Sequence, residues 1–261
     1  MAAEKRYPQI TLFRGWHDNG RYVWSPFPTK VEFRLRVAGV PYKTDAGSPR
    51  HAPKGKIPYV EVLNEGASTP TQIGDSALMI KYFIDTGVLP DLNVNLTASQ
   101  KAQDMALRAL LEDKFYFYNM RERWQGNYYV HRDKALWTIP YPMRVVVGLL
   151  VHRTVSATLH GQGTGRYSDA EVEAFQREIW QTIDGMLDEV ESNCKERPEP
   201  YWCLGGRAPT EADAVLFGFI TSALVAESGP KAKAVVQSMP AVMDYASRIH
   251  DKYFPDYEKW R

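Results

Sequence analysis

The chain has 261 residues, 44% hydrophobic and 24% charged, with a net charge of +1. This is ordinary for a globular protein of one large or two modest domains, and its charge gives no strong bulk pull toward nucleic acid or an acidic membrane. No apolar run reaches the roughly 18 residues that span a bilayer, the first six residues lack the apolar stretch of a secretory signal, and two cysteines are too few for a disulfide scaffold. A cytoplasmic protein with no transmembrane segment is expected.

Residues 9–16 alternate and are rich in β-formers, which predicts a strand. Phe27, Val31, Leu35 and Ala38 recur at helical spacing after Pro26, and Gly39 follows as a stop signal, so 26–38 reads as a helix. Residues 41–44 read as a second strand, 46–56 as a loop, 58–63 and 69–73 as two more strands, and 75–86 as a helix. Residues 89–96 form a linker, with Pro90, Asp91 and Asn93 breaking the period. Beyond it five helices are predicted, over about 98–125, 141–159, 168–194, 210–227 and 241–253. Ser168 with Glu171, and Thr210 with Asp213, mark two helix starts as capping boxes. The helix after Thr210 is apolar nearly all round and belongs in the middle of a bundle. The order β-α-β then ββ-α, followed by helices alone, predicts an α/β thioredoxin-like N-terminal domain over residues 1–90 and an all-α C-terminal helical domain over residues 97–261.

Three short motifs in the first domain carry chemistry. A proline opening a strand beside a loop, as in Ile57-Pro58, is often cis, and the turn exposes Ile57's backbone for pairing with an extended peptide. Asp75-Ser76 begins a helix, where free N–H groups and the helix dipole suit a carboxylate, and Asp75 could hold an ammonium group. Ser25 precedes Pro26, which favours the first helical position, and its hydroxyl could donate to a bound thiolate. Tyr7, Tyr22 and Trp24 are nearby alternatives for that contact. Each motif has a plainer reading: a strand-start proline, a capping aspartate, a capping serine. Their order and spacing suggest a site for a small thiol peptide. Ser25 to Pro28 occupies a C-x-x-C slot without cysteine, which disfavours dithiol redox chemistry.

Order, motifs and helical second half together resemble a glutathione transferase over nearly the whole chain. More narrowly, Ser25-Pro26-Phe27 with Lys30-Val31-Glu32 and Leu35-Arg36, then Gly39-Val40-Pro41-Tyr42, Lys54-Gly55-Lys56-Ile57-Pro58-Tyr59-Val60-Glu61 and Ile73-Gly74-Asp75-Ser76, resemble the Fax/metaxin-like branch. Pro28 departs from many relatives, which carry cysteine or another non-proline residue there. The resemblance implies glutathione as cosubstrate, Ser25 as the thiol-activating catalytic residue, and a glutathione-binding set of Lys56, Ile57, Pro58, Asp75 and Ser76. It also implies a homodimer and, as chemistry, conjugation of glutathione to a small hydrophobic electrophile, including epoxide opening. The alternatives are a non-enzymatic metaxin-like adaptor and a carrier of hydrophobic ligands.

Aromatic residues crowd 115–141 and offer a wall for the second substrate or, equally, a core or dimer seam. Trp24, Phe27, Tyr116, Met120 and Tyr128 are the candidate hydrophobic-substrate pocket. The six histidines show no metal-ligand spacing, so no metal is expected. His131-Arg132-Asp133 reads as a solvated loop, Cys194 and Cys203 as structural, and the charged tail from Asp251 as a solvated helix end.

Overall fold

The computed structural model describes residues 6–193 and 200–260. Strand β1 (Gln9–Phe13) turns Ile10 and Leu12 inward. Helix α1 (Pro26–Val37) follows, then β2 (Lys43–Asp45), β3 (Tyr59–Leu63), β4 (Thr71–Gly74) and helix α2 (Ser76–Asp85). The sheet order is β2-β1-β3-β4, with β1 parallel to β2 and antiparallel to β3, and β3 antiparallel to β4. Val31 and Leu35 of α1 and Met79 and Phe83 of α2 close one core over this mixed sheet. This is the expected thioredoxin-like layout, with strands starting or stopping up to three residues from the predicted bounds.

The second half is helical. Helix α3 (Ala98–Ala109) opens on a capping box of Thr97 and Gln100. It continues through a π-helical stretch (Leu110–Phe115) into α4 (Tyr116–Arg121) and a second π-helical stretch (Glu122–Gly126), so the one long helix predicted here carries two wide turns. Helices α5 (Tyr128–Ala135), α6 (Met143–Gln162), α7 (Asp169–Asn193), α8 (Glu211–Val225), α9 (Pro230–Gln237) and α10 (Pro240–Tyr253) complete the domain. Both expected capping boxes form: Ser168 with Glu171, and Thr210 with Asp213. Cys203 is buried, whereas Cys194 lies outside the described residues.

Two expectations fail here. Residues 131–133 are not a solvated loop: they belong to α5, where His131 and Arg132 are buried and only Asp133 is exposed. The C-terminal tail is not wholly solvated, because Phe254 and Tyr257 are buried among its charged neighbours. In both places charged sequence hides an apolar or hydrogen-bonded inner face.

Helix α1 joins the two halves. Val31 and Leu35 face the sheet, while Phe33 enters the larger core of the helical domain with Trp180, Phe217 and Tyr245. Three of its charged residues, Lys30, Glu32 and Arg34, are also buried. Lys30 pairs with Glu112 at 2.7 Å and Arg34 with Glu211 at 3.1 Å, both across the domain boundary. Glu32 accepts from Arg14 Nη1 at 3.2 Å and from the Tyr257 hydroxyl at 2.5 Å.

Candidate functional site

The three motifs meet at one end of the sheet because of register. Phe13 lies opposite Tyr59, and Tyr59 opposite Gly74. The chain leaving β1 toward Ser25, the Ile57-Pro58 turn before β3 and the Asp75-Ser76 start of α2 therefore share that edge. Gly15 has φ +92°, and a Cβ there would lie 3.3 Å from Ile57 Cγ2, so the loop after β1 runs directly against Ile57.

The Ile57-Pro58 bond is cis. The backbone N–H and C=O of Ile57 have no hydrogen-bond partner among the described residues, which leaves a short open edge. Lys56 beside it is exposed, and Pro58 is buried.

Asp75 has φ +79°, in the left-handed region that residues other than glycine rarely adopt. Its Oδ1 accepts from the N–H of Ala77 at 3.0 Å and of Leu78 at 3.3 Å. The capping role is therefore real and consumes two of the free donors at the α2 N-terminus. Ser76 is buried, and its hydroxyl has no hydrogen-bond partner among the described residues. A carboxylate arriving here would meet the N–H and hydroxyl of Ser76.

Ser25 occupies the N-cap position of α1 with extended backbone, yet its side chain makes no capping bond. The hydroxyl is half-buried and has no protein partner. Pro26 and Pro28 each lack an N–H, so two of the four donors that a helix N-terminus normally offers are missing. The Ser25 hydroxyl thus becomes a principal donor at this helix start, which is the physical consequence of Pro28.

The segment before Ser25 is held from behind. The Trp24 carbonyl accepts from Arg123 Nη1 at 2.7 Å and from the Ser222 hydroxyl at 2.5 Å. Arg123 is buried, and among the described residues it bonds only neutral oxygens and leaves Nε without a partner. Burial lowers its pKa to about 10 against the opposing influence of Tyr116 and Glu122. His131 stacks near the Trp24 ring, bonds the Ser228 hydroxyl through Nδ1 at 2.8 Å, and is pushed down to about 3 by burial and then by Arg123. Neither Arg123 nor His131 stood out as a site residue in the sequence.

The expected substrate wall divides in two. Phe27 packs on Tyr116 with ring centroids 5.2 Å apart and on Phe219 at 6.2 Å. Trp24 and Tyr128 make no ring contact with each other among the described residues and connect through His131 and Trp124. Met120 is half-buried on α4. Tyr22 leaves the list of sulfur contacts, because its hydroxyl bonds His250 Nδ1 at 2.8 Å inside the helical core. Tyr7 packs against the core of the first domain. Two recesses, of about 330 Å³ beside α2 and about 470 Å³ beside Trp24, are not lined by Ser25, Ile57, Pro58, Asp75 or Ser76. Trp137 stands beside this sheet end, donating from its indole to the Gly15 carbonyl at 2.9 Å.

Residues 26–131 match the glutathione S-transferase N-terminal domain family. Failed axon connections of Drosophila melanogaster is 26% identical over 258 residues, covering 90% of this chain. The chain spans 56% of that relative's length. FzlA from C. crescentus has the same fold, with a TM-score of 0.57 at 12% identity over 97% of this chain and 93% of that one. Rice GST1 (OsGSTU1), solved in complex with glutathione, gives 0.55 at 14% over 98% and 92%. A glutathione transferase family member from Pseudomonas fluorescens, with two glutathione molecules bound, gives 0.52 at 14% over 94% and 90%.

Proposed function

For this chain, a member of the glutathione transferase superfamily in its Fax/metaxin-like branch, we propose that the sheet-edge groove binds glutathione and presents its sulfur to a hydrophobic electrophile. One observation carries the proposal: the unpartnered Ser25 hydroxyl stands at the start of α1, at the same sheet end as the open backbone of Ile57 and the unpartnered hydroxyl of Ser76. Ile57 pairs with the peptide backbone as a sheet edge would, with Pro58 setting the turn and Lys56 beside it. Ser76 binds the γ-glutamyl carboxylate at the start of α2. Asp75 reaches the ammonium group through Oδ2, since its Oδ1 caps the helix.

The Ser25 hydroxyl donates to the sulfur and, with the α1 dipole, favours the thiolate over the thiol. The thiolate attacks an electrophilic carbon, forming a C–S bond. A leaving group departs with the bonding pair, or an epoxide C–O bond breaks and its oxygen takes a proton. Trp24, Phe27, Tyr116, Met120 and Tyr128 hold the apolar body of this second substrate. A homodimer in the cytoplasm belongs to the same proposal. The adaptor or carrier alternative draws support from the two recesses lying away from Ser25.

Titration calorimetry with glutathione, followed by turnover of an activated aryl halide and an epoxide, separates these readings. Saturable binding weakened about tenfold or more by Ser76→Ala is expected, the loss of a hydrogen bond to a charged group. Ser25→Ala should lower turnover by a similar factor while leaving glutathione affinity within about twofold, because its bond matters most to the thiolate. Binding without turnover in the parent protein would favour the carrier. No binding would favour the adaptor.

A further inference from the structure

Helix α6 is poorly covered. Of its 20 residues only Gly148 and Leu159 are buried, against α5 and the helical domain. On the outer side Met143, Val146, Leu149 and Leu150 are 58%, 55%, 59% and 61% exposed. Their spacing of three, three and one places all four on one face over two turns. Tyr141, in the turn just before α6, is also exposed. Large apolar side chains clustered this way mark an interaction surface rather than the scattered exposure of an ordinary one.

The charge around this face identifies its occupant. Residues 134–168 contain no aspartate or glutamate, although the chain carries 31 acidic residues in all. The same stretch holds Lys134, Arg144, Arg153 and Arg166. Lys134 is paired with Asp18, and Arg144 donates to the carbonyls of Trp137 and Ile139 and lies 3.9 Å from Asp133, just before this stretch. Arg153 is exposed, lies on the same face one turn beyond Leu149 and Leu150, and has no ion-pair partner among the described residues. The net charge of +1 conceals this local bias.

We propose that the outer face of α6 docks on an anionic lipid bilayer. Met143, Val146, Leu149 and Leu150 enter the boundary between headgroups and acyl chains, Tyr141 sits at headgroup level, and Arg153 meets anionic headgroups. The helix lies on the surface, since no single described helix is long and apolar enough to cross a membrane. A second copy packed face to face would set two α6 faces of like charge against each other, with no acid on α6 to offset it. A lipid surface of opposite charge has no such penalty.

Co-sedimentation of the full chain with vesicles tests this without reference to glutathione. Binding to vesicles of phosphatidylcholine with phosphatidylserine, and about tenfold or more weaker binding to phosphatidylcholine alone, is expected. Leu149→Glu with Leu150→Glu should abolish sedimentation, and Arg153→Glu should reduce it about tenfold or more. These positions are exposed, so far-ultraviolet circular dichroism should remain that of the parent. Absence of the parent protein from the anionic pellet would overturn the proposal, as would sedimentation unaltered in the double variant. Analytical ultracentrifugation showing a dimer that the double variant dissociates would assign the face to a second copy and overturn it equally.

Discussion

His131 lies between the Trp24 and Trp124 rings, with its Nδ1 on Ser228 and the Arg123 guanidinium nearby. Burial, then Arg123, lowers its pKa from an ordinary 6.5 to about 3. Below the ordinary value the unfolded chain takes a proton that the folded one refuses. The stability that follows from this is complete above 6.5 and is lost as pH falls toward 3. The slope is at most about 1.4 kcal/mol per pH unit for a single group. Urea unfolding at a series of pH values should show that decline. His131→Gln, which can still bond Ser228, should flatten it by that amount across the window. Carboxylates titrating in the same range affect both proteins, so the difference between them isolates the imidazole. An unchanged slope in the variant would mean that His131 is protonated in the folded state. Because His131 supports Trp24, the residue before Ser25, acid should disturb the groove before it unfolds the chain.

Between elements, the closest approach that matters to the site is α8 against the start of α1. A Cβ on Gly218 would lie 2.5 Å from the Pro26 carbonyl oxygen and 3.4 Å from the Lys30 nitrogen. Gly218→Ala gains roughly 1 kcal/mol of helix propensity and loses about 1–3 kcal/mol to overpacking, because the obstacle is backbone. Net destabilisation in urea is expected, together with weakened turnover, since α1 carries Ser25 at its head. A more stable and equally active variant would show that the two helices can part without cost. This element scale also shows what the sequence made legible. The sheet, α1, α2 and the apolar α8 were readable because period, capping and turn residues agree there, as at Thr210 with Asp213. Helices α5 and α9 were missed. Each is only eight residues long, too short for a helical period to emerge. The π-helical stretches at Leu110–Phe115 and Glu122–Gly126 left no mark on the pattern either. Of the site, Ser25, Ile57-Pro58 and Asp75-Ser76 were visible as motifs, but the free backbone of Ile57 and the missing cap at Ser25 depend on atomic neighbours. Arg123 was invisible for a plainer reason: an arginine on a helix is ordinarily solvated, and its burial depends on Trp24 and Ser222, about a hundred residues away on either side.

At the scale of the whole molecule, the sheet core and the helical core are distinct, and α1 has one face in each. The charges along α1 make the join specific. Arg14 and Glu32 are both fully buried, and Tyr257 from the C-terminal tail bonds each of them. Removing one member of such a cluster leaves the other charged and dry, which costs about 3–5 kcal/mol, more than the pair itself contributes to stability. Glu32→Ala should therefore destabilise the protein by about that amount while leaving surface properties unchanged. The distribution of the loss is the more telling quantity. If α1 makes the two cores one cooperative unit, hydrogen exchange free energies at Ile10 and Val60 in the sheet and at Leu216 and Ile220 in α8 should fall together. A fall confined to the strands would mean that the helical domain stands without the sheet and that α1 is merely draped across it. The first outcome has a functional corollary. The groove at the sheet edge and the aromatic residues meant to hold the second substrate would then keep a fixed separation, as two reactants brought together by one protein require.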